Sequence, residues 1–172
     1  TKSNRRLQVF TNLGNMYLLA VQDLRENRGK EKGMLPSSLF QGWQDGEKVL
    51  GLFDFEEQAG KNRGLYFATV GGQIKKTMAA EYDTRMKRIA AIKLRQGDEV
   101  QSIWLDNGGA SILCISKKGM SIRFDADTVP ENGRVTAGVK AMALGPGDGI
   151  ICAVQWKDEI GEVVVISERG YG

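Results

Sequence analysis

The residues of this sequence whose types and spacing could do chemistry are mostly cations. Lys75-Lys76 is followed by Arg85, Lys87 and Arg88, then by Lys117-Lys118 and Arg123, with Arg134 and Lys140 further on. Arg28, Lys30 and Lys32 form a separate cluster nearer the start. The net charge of +3 conceals their distribution: residues 1–60 hold 8 basic and 8 acidic side chains, 61–95 hold 9 and 2, and 96–172 hold 7 and 11. The middle of the chain therefore carries a concentrated positive field. A charge run is ordinarily a solvated face. A row of ammonium and guanidinium groups can also neutralise successive phosphates of a nucleic acid, releasing condensed counterions and giving affinity that falls with salt and depends little on base sequence.

Other chemistries lack their reagents. There is no histidine, which removes the commonest general base and every Ser-His or Cys-His nucleophile pair. Two cysteines without histidine are too few for a tetrahedral zinc site. Cys114 and Cys152 each lie in an apolar run and read as buried, reduced core thiols. The carboxylate doublets Glu56-Glu57, Asp98-Glu99 and Asp158-Glu159 sit beside turn signals, where solvated side chains are expected rather than an acid and base. Neither a phosphate-binding P-loop nor a dinucleotide glycine fingerprint is present. We therefore expect no catalytic residue, metal ligand or cofactor in this chain, and no small-molecule substrate. No apolar run approaches the roughly 20 residues that span a bilayer, and the basic start Thr1-Lys2-Ser3-Asn4-Arg5-Arg6 leads into no signal-peptide core, so it reads as a boundary within a longer cytoplasmic protein.

The elements that must position the cations are repeated. An apolar strand, a glycine turn and a second strand recur with their glycines at 14, 72, 119 and 170, which are 58, 47 and 51 residues apart. A second marker, an apolar residue followed three positions on by Gly and an acid, recurs as Gly46-Glu47, Gly97-Asp98 and Gly147-Asp148, at intervals of 51 and 50. Two markers sharing one period define units of about 1–57, 58–106 and 107–157 and a partial unit 158–172 within a single domain, 1–172. Spacing within a unit is that of strands: Met120, Ile122 and Phe124 would face a core, Ser121 and Arg123 solvent. Further strands are expected at 89–94, 100–105, 139–144 and 150–156. Four short strands per unit, with tight turns at Gly71-Gly72 and Lys118-Gly119, predict an all-β, propeller-like array of about three and a half four-stranded blades. The charged stretch 23–33 reads as a solvated or ligand-facing loop of a longer first unit.

Several of these segments resemble the C-terminal domain of the bacterial type IIA topoisomerase A subunits, of DNA gyrase and topoisomerase IV. The resemblance rests on Phe10-Thr11-Asn12-Leu13-Gly14 with Tyr17, on Phe67-Ala68-Thr69 leading to Gly72-Gln73-Ile74-Lys75-Lys76-Thr77, and on Ala91-Ile92-Lys93-Leu94 before Gly97-Asp98-Glu99. It continues through Lys118-Gly119-Met120-Ser121-Ile122-Arg123-Phe124, Gly138-Val139-Lys140 and Gly147-Asp148 to Gly170-Tyr171-Gly172. It implies a β-pinwheel whose blades exchange strands and whose basic rim wraps double-stranded DNA, beginning here at a second blade and stopping inside a fifth. It also implies that Tyr17, Tyr66, Tyr82 and Tyr171 are structural. By the same resemblance the parent enzyme uses ATP and magnesium and joins the remainder of the A subunit to an ATPase B subunit in a heterotetramer near the nucleoid. Two features depart from the pattern: the gyrase-type glycine-arginine box is absent, with 27–33 only an echo of it, and Leu35-Pro36-Ser37-Ser38-Leu39 is poor in β-branched residues for a strand. The rival reading is a propeller scaffold for proteins, which would show exposed aromatics among the charges of 61–95.

Overall fold

A computed structural model describes residues 5–54, 63–157 and 162–170. Eleven strands lie in three antiparallel sheets among these residues. The first sheet has the order β3-β1-β2-β6, with β1 Arg6–Thr11, β2 Asn15–Ala20, β3 Val49–Phe53 and β6 Arg88–Ala90. The second has the order β10-β5-β4-β7, with β4 Gly64–Thr69, β5 Gln73–Met78, β7 Val100–Leu105 and β10 Val139–Lys140. The third, β11-β8-β9, comprises β8 Ser111–Ser116, β9 Ser121–Asp125 and β11 Ile150–Trp156. Repeat unit and blade are out of phase. Among the described residues the second and third units each send one strand back onto the preceding blade, so that β6 pairs with β2 and β10 with β5.

The blades stack face to face. Phe10 and Met16 of the first sheet meet Leu65 and Phe67 of the second, and Ala68 and Ile74 on the other face of the second meet Ile112 and Cys114 of the third. Every residue of β4 is buried, because both faces of its sheet are covered. Such a strand loses the polar alternation of a one-sided sheet. The outer face of the first blade is closed by Phe40 and Trp43, whose rings pack on Tyr17. Strands β3, β7 and β11 approach one another along one side of the stack, and β6, β10 and β9 form the opposite edges.

The two sequence markers meet in space. Gly14, Gly72, Gly119 and Gly170 all adopt positive φ and donate their N–H to the carbonyl three residues earlier, at Thr11, Thr69, Ser116 and Ser167. The acidic marker then braces the turn. Asp98 accepts from the Gly71 N–H at 2.7 Å, and Asp148 from the Ser116 hydroxyl at 2.8 Å and the Lys118 N–H at 3.1 Å. Glu47, buried, accepts from Thr11 Oγ1, Asn15 Nδ2, the Tyr17 hydroxyl and the Gln44 N–H. Burial pushes its carboxyl up, but these donors outweigh that and hold it below its usual value.

Several expectations are corrected. The strands expected at 89–94 and 139–144 end at Ala90 and Lys140, because the next two N–H groups in each turn to a single carbonyl, of Gly14 or Gly72. Residues 35–39 carry a one-turn helix, α1 Pro36–Leu39, rather than a strand, with proline in its first turn. Met120 and Ile122, expected to face a core, are both exposed: Met120 precedes β9, and Ile122 lies on β9 where it forms the edge of its sheet. Cys114 is buried, and its thiol is pushed up to about 11 chiefly by that burial; Cys152 is exposed, because a bulge between Ile150 and Cys152 turns two successive side chains outward. Glu56-Glu57, Asp158-Glu159 and Tyr171 lie outside the described residues.

Candidate nucleic-acid interface

The outward edge of the stack is made from the returned strands, β9 and the connections that carry each unit back to its neighbour. After β5 the chain makes a 3₁₀ turn, Ala79–Tyr82, and then crosses to β6 through Arg85 and Lys87, both exposed. Arg88 opens β6, donates from Nη1 to the Gly42 carbonyl at 2.9 Å and lies over the Tyr17 ring at 5.6 Å. The equivalent connection of the third unit follows the turn Ala126–Thr128 and carries Arg134, whose Nη1 donates to the Ala90 carbonyl at 2.6 Å; it leads into β10, where Lys140 is exposed. The first unit's connection holds Arg28, Lys30 and Lys32, all exposed. Arg123 projects from edge strand β9 and donates to Ser111 Oγ at 2.9 Å. Carboxylates are interspersed: Glu81, Asp83, Asp125, Asp127 and Glu131 occupy the same border and are exposed.

Lys117 and Lys118 lie elsewhere. They occupy the β8–β9 turn, and Lys118 Nζ donates to the Pro146 carbonyl at 2.6 Å. The corresponding turns of the first two units face the segment between the second marker and the preceding returned strand of the next unit. Cationic turns and cationic connections thus sit at opposite ends of the strands.

Two of the expected contacts are committed to the interior. Lys75 has no accessible surface; its ammonium donates to the carbonyls of Ala91, at 3.0 Å, and Arg134, and lies over the Phe67 ring. Burial pushes it down to about 8, with the Glu81 charge pulling the other way. It cannot reach a phosphate. Lys76 is half-buried over Tyr66 and pairs with Asp106 at 2.9 Å. Burial lowers that lysine, and Asp106 with the Tyr66 hydroxyl more than restores it. Exposed cations that the expected contacts left out include Arg25, Lys93 and Arg95. Lys93 and Arg95 follow the returned strand β6 directly, and that adjacency was the available signal.

Residues 65–103 and 110–151 match the family described as DNA gyrase C-terminal domain, β-propeller. The matched segments contain both faces of the second blade and the first hairpin of the third. The crystal structure of the C-terminal domain of DNA topoisomerase IV superposes on 92% of this chain and 49% of its own length, with a TM-score of 0.85 and 25% identity. The chain belongs to the gyrase C-terminal domain family. The gyrase A subunit of Lawsonia intracellularis is 30% identical over the whole of this chain, and that of Escherichia coli K12 is 29% identical over 95% of it. The chain spans 21% and 18% of those relatives' lengths. A gyrase A C-terminal domain superposes with a TM-score of 0.65 at 23% identity over 90% of this chain and 49% of its own, which concerns the fold alone. As a gyrase-family domain the chain places Tyr17, Tyr66 and Tyr82 in its core. No helix of the described residues is long and apolar enough to cross a membrane.

Proposed function

We propose that this domain binds and bends double-stranded DNA along the border formed by its returned strands, as part of the A subunit of a type IIA topoisomerase. The observation that carries the reading is the placement of Arg85, Lys87, Arg88, Arg134 and Lys140 on equivalent connections and strands of successive blades, within a domain of the gyrase family. A repeat converts such positions into a spaced row. Bending a 20–30 base-pair arc costs about 1–6 kcal/mol, which distributed phosphate contacts can offset. The border mixes signs, so binding depends on the arginines and lysines outnumbering the carboxylates near the second unit. All three aromatic residues of 61–95, Tyr66, Phe67 and Tyr82, are buried, which leaves a protein-docking rim without anchors there. In the parent, ATP and magnesium chemistry and the partner B subunit belong to other regions.

The test is a salt titration with fluorescent duplexes of about 40 base pairs and unrelated sequence, from roughly 50 to 200 mM. Binding indifferent to sequence and lost with salt is expected. Replacing Arg85, Lys87 and Lys140 together by alanine should weaken it and lower the salt slope by about 2–3. An absence of binding at low salt, or a triple variant that binds normally, refutes the border as the interface.

A further inference from the structure

Met86 is an apolar side chain set between two cations of the border. It is 63% exposed, and Arg85 and Lys87 on either side of it are exposed as well. The chain bends at Arg85 and again at Lys87, which puts Met86 at the apex of the connection into β6. Both feet of that connection are fixed. On the near side Tyr82 is fully buried with its hydroxyl on the Ala91 carbonyl at 2.9 Å, and the Asp83 N–H donates to the Ala80 carbonyl at 3.1 Å. On the far side the Lys87 carbonyl accepts from the Leu18 N–H at 3.0 Å, and Arg88 is held on the Gly42 carbonyl and the Tyr17 ring. The apex itself is drawn in by the Met86 N–H, which donates to Thr84 Oγ1 at 3.1 Å. This connection is the second of three. The one before it and the one after it are both described, and the latter is tied to its foot through the Arg134 N–H on Glu81 Oε2. Met86 stays exposed with both in place.

We propose that Met86 is a wedge: it enters between two base pairs of the duplex on the border, with Arg85 and Lys87 on the phosphates either side, and sets the point at which the DNA bends. This rests on the border being the DNA interface and adds to it a contact with the bases. Lysine and arginine on phosphates carry no information about the step beneath them. An apolar side chain inserted from the minor groove unstacks its step and kinks the duplex toward the major groove. The fixed feet favour insertion, since a loose loop would first have to be ordered. Most of the Met86 surface is in water before binding, so its burial partly offsets the unstacking. Partial compensation selects the steps that open at least cost, the pyrimidine–purine steps such as TA and CA. Duplexes of unrelated sequence each contain several of these and still bind alike; what Met86 selects is the register. A methionine on a protein-docking surface would be expected beside aromatic anchors, and all three aromatic residues of 61–95 are buried.

The probe is a duplex of about 40 base pairs whose strands read pyrimidines and then purines, so that one central TA step is its only pyrimidine–purine step. The adenine of that step is replaced by 2-aminopurine, whose fluorescence rises on unstacking. Binding of the 172-residue chain should raise the signal about twofold. It should also favour this duplex about threefold over one of the same composition that reads purines and then pyrimidines and has no such step. Met86→Ala, a change at an exposed position, should remove the signal, the preference and most of the bend, measured by energy transfer between dyes on the two ends. It should leave the salt slope as it was, because no phosphate contact is lost. Met86→Leu, apolar and of similar volume, should keep all three. An unchanged signal on binding, or a signal and bend that survive in Met86→Ala, overturns the wedge, while a steep salt slope in the same samples leaves the border standing. No binding at low salt overturns both.

Discussion

Lys75 has no accessible surface, and its charge is tolerated through two carbonyls and the face of Phe67. Its position was legible in the repeat though not in the strand. Alternation along β5 suggests an outward lysine, because alternation presumes one wet face, and this sheet has none. The turn glycines put Lys75 in phase with Tyr17, whose ring is buried, which is the register of an inward side chain; Ile122, the third member, is exposed on edge strand β9. Since its folded-state value of about 8 lies below the ordinary 10.5, the unfolded chain holds the proton longer between those values. Stability should therefore rise with pH from 8 towards 10, by at most about 3 kcal/mol from this group, and Lys75→Met should flatten the slope in denaturant titrations. Above pH 10 the sign reverses. Burial, and then the Glu47 hydrogen bond and charge, push Tyr17 up to about 12, so the unfolded chain ionises first. Glu47 acts at the other extreme. Its carboxyl is held below 4.5, so its contribution is complete above that value and is lost as pH falls through the lowered one. Glu47→Gln, which replaces one oxygen by an amide NH2 facing two of the four donors, should cost about 1–3 kcal/mol at neutral pH.

At the scale of elements, the two glycine markers proved to be halves of one joint. Their period was visible in the sequence; their contact was not, because the acid that braces a turn stands 27 to 36 residues from it. The returned strands were equally hidden. β6 and β10 are three and two residues long, too short for periodicity, and only pairing reveals that they belong to the preceding blade. A matched pair of substitutions isolates what such joints contribute. Gly72 and Gly119 both hold positive φ, but a Cβ on Gly72 would stand 2.6 Å from the Met142 carbonyl oxygen, whereas one on Gly119 meets nothing within 4 Å. Gly119→Ala should cost about 1–2 kcal/mol, the left-handed penalty alone. Gly72→Ala should cost clearly more in thermal or denaturant unfolding, since the clash falls on the backbone of the next unit. Equal costs would show that the turn is not held against its neighbour.

For the molecule as a whole, the stack is a one-dimensional array in which each blade touches only its neighbours, so stability divides among interfaces. The first interface packs Phe10 edge to face against Phe67 and Tyr82, whose own rings are tilted, with centroids 5.1 to 5.9 Å apart; the second has alanine, cysteine and valine in their places. Native-state hydrogen exchange should therefore release the amides of β8 and β9 before those of β1, β2 and β4. A single cooperative exchange of all three sheets would contradict this inequality. The all-β repeat architecture was legible from two periodic markers, whereas the charge map was only half legible. The excess in 61–95 is real, but Lys75 and Lys76 are drawn inward, and the guanidinium of Arg63 is bound to the Asp106 carbonyl.

Because the second and third units each lend a strand at the same point, the period of the gene and the period of the blades are offset in the same way in both. Recombination between equivalent codons, such as those of Gly72 and Gly119, would delete or duplicate a whole period and still leave the lent strand with a host: after the deletion, β10 would lie where β6 lay, beside a hairpin of equivalent register. Blade number can then change by single crossover events without passing through an ancestor that has an orphaned strand in its middle.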